Sequence, residues 1–214
     1  MKKIFLLMCL CTVAIVNAQV AYPDAPQEEQ GQKTDKNDEE EAENPFKDYF
    51  RLYYVNPSGI GDNVMAKANN GTGGLGLGVS LYNFEKVAII TGVEWTYYDI
   101  TDVSRAANAE NTNLTTISVG GEYKLPIGKH FCLAPSLCYA YSVMKQRTDK
   151  QKYGKYEGNG IRLGFTFDYI IGRTAKLFVG ANLVHSWYDV NTAPQYEDYY
   201  RKVNTINLMA GIKL

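Results

Sequence analysis

From residue 48 to residue 214, apolar side chains alternate with small or polar ones so persistently that a period of two governs nearly the whole segment. Residues 160–171, GIRLGFTFDYII, are the clearest case. Ile161, Leu163, Phe165, Phe167, Tyr169 and Ile171 fall on one side, and Gly160, Arg162, Gly164, Thr166 and Asp168 on the other. Successive side chains of a strand point to opposite faces, so this is a strand with one apolar face. That face meets either a protein core or an apolar solvent, and which of the two holds decides what kind of protein this is.

The pattern predicts an all-β domain with eight strands, near 48–56, 74–83, 87–100, 112–125, 131–146, 158–171, 175–188 and 202–214. Short turns at 83–86, 126–129 and 172–174 alternate with four long polar connections. These are NPSGIGDNVMAKANNGTG, TDVSRAANAEN, RTDKQKYGKYE and residues 189–201. Short and long connections alternating between antiparallel strands are the pattern of outer-membrane barrels, and they put both termini in the periplasm.

Size decides which face points inward. An eight-stranded barrel has an interior only just wide enough for side chains to fill. Small residues collect on the polar face: Gly76, Gly78, Ser80, Ala88, Gly92, Ser118, Gly120, Ala134, Cys138, Ala140, Gly164 and Gly180. The other face carries Leu75, Leu77, Trp95, Ile117, Leu137, Tyr139, Phe165 and Phe167, too much bulk to point inward. The apolar face is therefore expected outside, against lipid. Aromatic rings prefer membrane interfaces. Tyr54, Trp95, Tyr97, Tyr141 and Trp187 are expected near the loop end, and Tyr123, Phe131 and Tyr169 near the turn end. Pro135 sits mid-strand, where its missing N–H would break a ladder unless a bulge received it.

The first residues have a different character. Lys2 and Lys3, the apolar run 4–16 and the ending VNA form a secretory signal pattern, so residues 1–18 are expected to be removed. Residues 19–46 hold nine acidic side chains against two lysines and are expected to form a disordered periplasmic linker, leaving 47–214 as the barrel. No segment has the roughly twenty apolar residues of a transmembrane helix. Cys132 and Cys138 lie about 20 Å apart along one strand, beyond disulfide reach, and are expected to be reduced. With two histidines and no CxxC spacing, neither a metal site nor a cofactor is expected.

Inward parity collects Arg51, Glu94, Glu122, Arg162 and Asp168, with Lys124 and Lys176. Buried charges need partners, so Glu94, Glu122 and Asp168 are expected to pair with Arg51 and Arg162 and to plug the lumen, the two lysines reaching the periplasmic rim. The protein is not expected to be an enzyme. His185 points outward near the loop end while Ser186 points inward, so no nucleophile stands beside the histidine. Lys145, Arg147, Lys150, Lys152 and Lys155 in the third long connection and its flanks are candidates for polyanion contact. Tyr196, Tyr199 and Tyr200 in the fourth are candidate contacts for a surface protein or glycan.

The hairpin GLGLGVSLYNF and the final strand TINLMAGIKL carry a family resemblance. With the signal ending NAQ, they make residues 48–214 resemble the eight-stranded outer-membrane barrels of Bacteroidetes-type bacteria. That family is akin to the OmpA, OmpX and opacity-protein domains and is often labelled PorT-like. The resemblance implies a Gram-negative outer-membrane location, contact with membrane lipid and lipopolysaccharide, and handling by the barrel-assembly machinery. It implies no role with nucleic acid. The terminal Leu214 departs from the family's usual Phe, and no peptidoglycan-binding domain is expected after the eighth strand. The function expected is anchoring of surface loops for envelope integrity or interaction. The alternatives are an accessory of a secretion or assembly machine and a secreted lipocalin-like barrel with an apolar lumen.

Overall fold

The structure is a computed structural model that describes residues 47–106, 108–148, 152–171 and 175–214, the side chains of Lys152 and Tyr153 excepted. The expected signal peptide and linker, the turn at 172–174 and Lys150 lie outside the described residues.

The described residues form β1 (Phe50–Ile60), β2 (Asn69–Asn83), β3 (Val87–Ile100), β4 (Asn111–Tyr123), β5 (Leu125–Ile127), β6 (Phe131–Arg147), β7 (Lys152–Ile170), β8 (Lys176–Asp189) and β9 (Lys202–Lys213). Two short helices, α1 (Val64–Ala68) and α2 (Glu197–Arg201), lie at the loop end. β4 and β5 are one stave, because both keep a single register against β6, with Glu122 opposite Ser136 and Leu125 opposite Leu133. Eight antiparallel staves result. β1 and β9 close the ring, from Arg51 opposite Lys213 to Ile60 opposite Asn204.

The registers also fix the barrel's geometry. From Tyr54 the pairings run through Leu75, Trp95, Thr115, Val143 and Glu157 to Asp189 in one direction. In the other they run through Ala210 to Val179. The offset from position 179 to position 189 on β8 is a stagger of ten residues. For eight strands that stagger tilts each strand by about 40°, so one residue climbs roughly 2.5 Å along the barrel axis.

The apolar face points away from the barrel interior. Leu163 and Phe165 are 52% and 51% exposed on the outer wall, while Glu94, Glu122 and Asp168 are buried within the barrel. A lipocalin-like barrel needs the reverse, and these lumen charges overturn that alternative. Small lumen residues make room for large ones. A Cβ on Gly76 would lie 2.1 Å from the Tyr53 ring, so only glycine lets that ring cross the interior.

Three connections differ from expectation. β1 runs on to Ile60 and β2 starts at Asn69, so the first connection narrows to a turn and α1. Gly61 makes the turn at φ +88°, a conformation side chains resist. The Asn63 side chain then caps α1 by accepting from the amides of Met65 (3.0 Å) and Ala66 (3.1 Å). The third connection is mostly strand: Lys145 stands opposite Lys155 and Arg147 opposite Lys152. Pairing persists there because the alternation does, with Met144 and Gln146 buried inside. The fourth connection ends in α2. Pro135 needs no bulge. Its register to β7 is continuous, and on its other side the ladder is interrupted between the β4 and β5 pairings, where no N–H is required of it.

Candidate functional site

The lumen is layered, and its lowest layer at the turn end is a knot of seven charges. Asp48, just ahead of β1, enters the barrel mouth and accepts from Arg51 Nε (2.9 Å), Lys124 Nζ (2.7 Å) and Lys176 Nζ (3.4 Å). Asn83 Nδ2 holds the Asp48 carbonyl at 3.0 Å. Glu122 receives the Arg51 guanidinium at both oxygens, 2.6 and 2.7 Å, the bidentate geometry that makes arginine–carboxylate pairs strong. Lys213, on the closing strand, meets Asp168 at 2.7 Å and Glu122 at 3.8 Å and lies 5.2 Å above the Phe178 ring.

The middle layer centres on Glu94. Arg162 Nη2 lies 2.5 Å from it, and Tyr53, Asn182 and Asn207 donate to it at 2.9, 3.3 and 3.2 Å. Arg162 also donates to Ser118 at 3.0 Å. A cavity of about 40 Å³, lined in part by Arg51, Ser118, Glu122 and Arg162, has room for ordered water.

Four of the five lumen residues singled out from the sequence thus form two pairs, Arg51 with Glu122 and Arg162 with Glu94. Asp168 departs from expectation by taking Lys213 in place of an arginine, because β9 runs between β1 and β8 and brings its last inward side chain to Asp168. Sequence reasoning missed Asp48 and Lys213. Parity would have found Lys213, which shares the inward face with Val203, Thr205, Asn207 and Met209. Nothing in the pattern marks Asp48, which precedes β1 and enters the lumen from the chain's approach.

The top layer is apolar. Val64, Met65, Ala68, Tyr98, Ala106, Leu114, Met144, Tyr188 and Val203 close the loop-end mouth. Tyr199 and Tyr200 pack on this cluster. Their rings meet edge to face at 5.0 Å, and Tyr200 stacks on Tyr156 at 6.5 Å. Burial pushes both phenols above the ordinary tyrosine range. Tyr196, by contrast, is exposed. In the second connection, the Ser104 hydroxyl donates to Asp102 at 2.6 Å and is the main cause holding that carboxyl below its usual range.

On the outer wall Tyr54, Trp95, Tyr97, Trp187, Tyr123, Phe131 and Tyr169 are exposed, and Tyr141 is half-buried. Phe131 packs against Phe167 (5.3 Å) and Tyr169 (5.2 Å) at the turn end. Toward the loop end the β6–β9 wall turns polar. Tyr139 donates to Asn159 at 2.5 Å and Tyr141 to Glu157 at 2.6 Å. His185 Nδ1 pairs with Asn204 Oδ1, with the Trp187 ring edge-on at 4.2 Å. Ser186 is buried in the lumen, on the opposite side of the sheet from His185. Above this band stand Lys145, Arg147 and Lys155, all exposed, with Lys155 paired to Glu157.

No family model matches the chain, and no curated protein matches it. Among solved structures it is similar to Neisserial surface protein A, with a TM-score of 0.54 and 13% identity over 78% of this chain and 95% of that one. It is also similar to Ail, the attachment invasion locus protein of Yersinia pestis, at a TM-score of 0.48 and 13% identity, covering 78% and 98%. The N-terminal β-barrel domain of Pseudomonas aeruginosa OprF gives 0.43 and 13%, with coverage of 78% and 98%. At 13% identity the likeness to Neisserial surface protein A is one of fold, the closed antiparallel barrel of eight strands.

Proposed function

We propose that this protein is a non-enzymatic barrel of the Gram-negative outer membrane that displays its loop end to the outside and keeps its termini in the periplasm. The observation that carries this is sidedness: a closed barrel with leucine and phenylalanine outside and ion pairs inside is stable in a hydrocarbon layer, where every backbone group must find a partner within the sheet. The exposed aromatics at the two ends are its interfacial girdles. Ion pairs and the apolar cap close the lumen to solutes, which leaves the loop end as the working surface. Its role is envelope integrity or surface interaction, with Lys145, Arg147, Lys150, Lys152 and Lys155 meeting polyanions such as lipopolysaccharide. Tyr196 offers a contact for a protein or glycan. The hairpin GLGLGVSLYNF and the strand TINLMAGIKL support membership of the PorT-like barrels of Bacteroidetes-type bacteria, with the terminal strand read by the barrel-assembly machinery.

Cell fractionation with gel migration of unheated and boiled samples tests the proposal. Recovery in the outer membrane with a heat-dependent mobility shift is expected. A soluble protein without the shift refutes it.

A further inference from the structure

Residues just ahead of a barrel's first strand have no ladder of their own and fray unless something ties them down. The residue two places ahead of β1 does the opposite. Asp48 is fully buried, between the exposed Lys47 and Tyr49. Besides the bonds from Arg51, Lys124 and Lys176, its carboxylate accepts from the Ser80 hydroxyl at 3.3 Å. The backbone is held as well. Lys176 Nζ donates to the Lys47 carbonyl at 3.1 Å, Asn83 to that of Asp48, and the Tyr49 amide to the Leu214 carbonyl at 2.7 Å. Arg51 belongs to β1, Ser80 and Asn83 to β2, Lys124 to the β4–β5 stave and Lys176 to β8, so these bonds come from both sides of the β1–β9 seam.

The register of β1 does not need this residue, because ten pairings with β9, from Arg51 to Ile60, already fix it. A buried carboxylate is also a weak source of stability, since its desolvation offsets most of the attraction. What Asp48 supplies is position. Four cations, Arg51, Lys124, Lys176 and Lys213, converge on this end of the lumen, and among the described residues the ring itself answers them there with Glu122 and Asp168. The third carboxylate is taken from outside the ring, which draws the chain across the mouth.

We propose that Lys47–Tyr49 is a strap that moors the chain ahead of it to the barrel. Tension on residues 19–46 passes through Asp48 into charged side chains of several staves before it reaches the bonds of Tyr49 and Phe50 to Leu214, the first rungs of the seam. Without the strap those rungs take the load one after another from the open end. The barrel then serves as a membrane mooring for the acidic segment 19–46 and for a periplasmic partner whose basic surface holds it. The inference rests on the outer-membrane placement proposed above.

The test is single-molecule force spectroscopy of the full protein in lipid bilayers, held at constant force by a handle at either its N-terminal or its C-terminal end. Removing one partner of a buried ion pair should make the first unfolding step of Asp48→Asn about a hundredfold faster under N-terminal load. Under C-terminal load the rate should change less than about fivefold. Equal acceleration from the two ends makes Asp48 an ordinary part of the barrel and overturns the strap, as does no acceleration under N-terminal load. Lys176→Met evens the charges at the mouth while releasing Lys47 and Asp48, so it keeps the fold where Asp48→Asn does not, and it should show the same dependence on the end pulled. Loss of the heat-dependent gel shift in both variants also overturns the strap, since Asp48 would then be a condition of folding. A wild-type barrel that keeps the shift and fails the force test overturns the strap alone; a soluble wild-type protein without the shift overturns the outer-membrane placement as well.

Discussion

Replacing Glu122 by glutamine should loosen the closing seam. Arg51 of β1 and Lys213 of β9 are register partners at that seam, so closing the barrel sets two cations side by side. Both lie against the same oxygen of Glu122, at 2.6 and 3.8 Å, which puts them within roughly 6 Å of each other. At an effective dielectric of about 20, that repulsion is about 3 kcal/mol. Glu122, reaching across from β4, offsets it. Glutamine keeps the size and loses the charge, and removing one partner of a buried pair costs about 3–5 kcal/mol. With a urea slope of about 2 kcal/mol per molar, the midpoint of Glu122→Gln should fall by about 2 M. The assay is urea unfolding in lipid bilayers, followed by the fluorescence of the outer-wall tryptophans Trp95 and Trp187. A double change, Arg51→Met with Glu122→Leu, leaves Asp48 with Lys124 and Lys176 and should lose less than Glu122→Gln alone. A Glu122→Gln midpoint within about 0.3 M of the wild type would refute the reasoning.

Arg162→Met leaves Glu94 with neutral donors alone and should cost about 3 kcal/mol in the same titration; an unchanged midpoint would contradict the ion pair. Leu163→Arg places a charge near mid-wall on the lipid face and should cost about 2–4 kcal/mol, whereas a soluble location for that face would leave stability unaltered. Gly76→Leu collides with the Tyr53 ring and should abolish the heat-dependent gel shift, which Gly121→Ala, open on all sides, should keep. Tyr199→Phe removes a hydroxyl that is buried without a partner, so it should be neutral or mildly stabilising; a loss above about 1 kcal/mol would mean that the hydroxyl is bonded.

The residues differ in how visible their roles were beforehand. Ile161, Leu163 and Phe165 announced both strand and sidedness, because a period of two and the volume limit of an eight-stranded lumen leave one arrangement. The extension of β6 and β7 was hidden by charge: Lys145 and Arg147 read as loop residues, while the continuing alternation of Met144 and Gln146 was the better guide. Tyr199 and Tyr200 looked like free contacts because nothing local says that α1 fills the mouth and offers them an apolar seat.

Periodicity and residue size alone determined the strand count, the closed antiparallel barrel and its outward apolar face, since each follows from local alternation and a packing limit that every strand obeys. Which charge meets which was decided only by tertiary structure. Asp48 joins Arg51, Lys124 and Lys176, and Lys213 reaches Asp168 and Glu122, across separations in the chain of up to 128 residues. Such partners are set by the stagger of ten residues around the ring and by closure of β9 on β1. Both are properties of the whole barrel, and no single strand encodes either one.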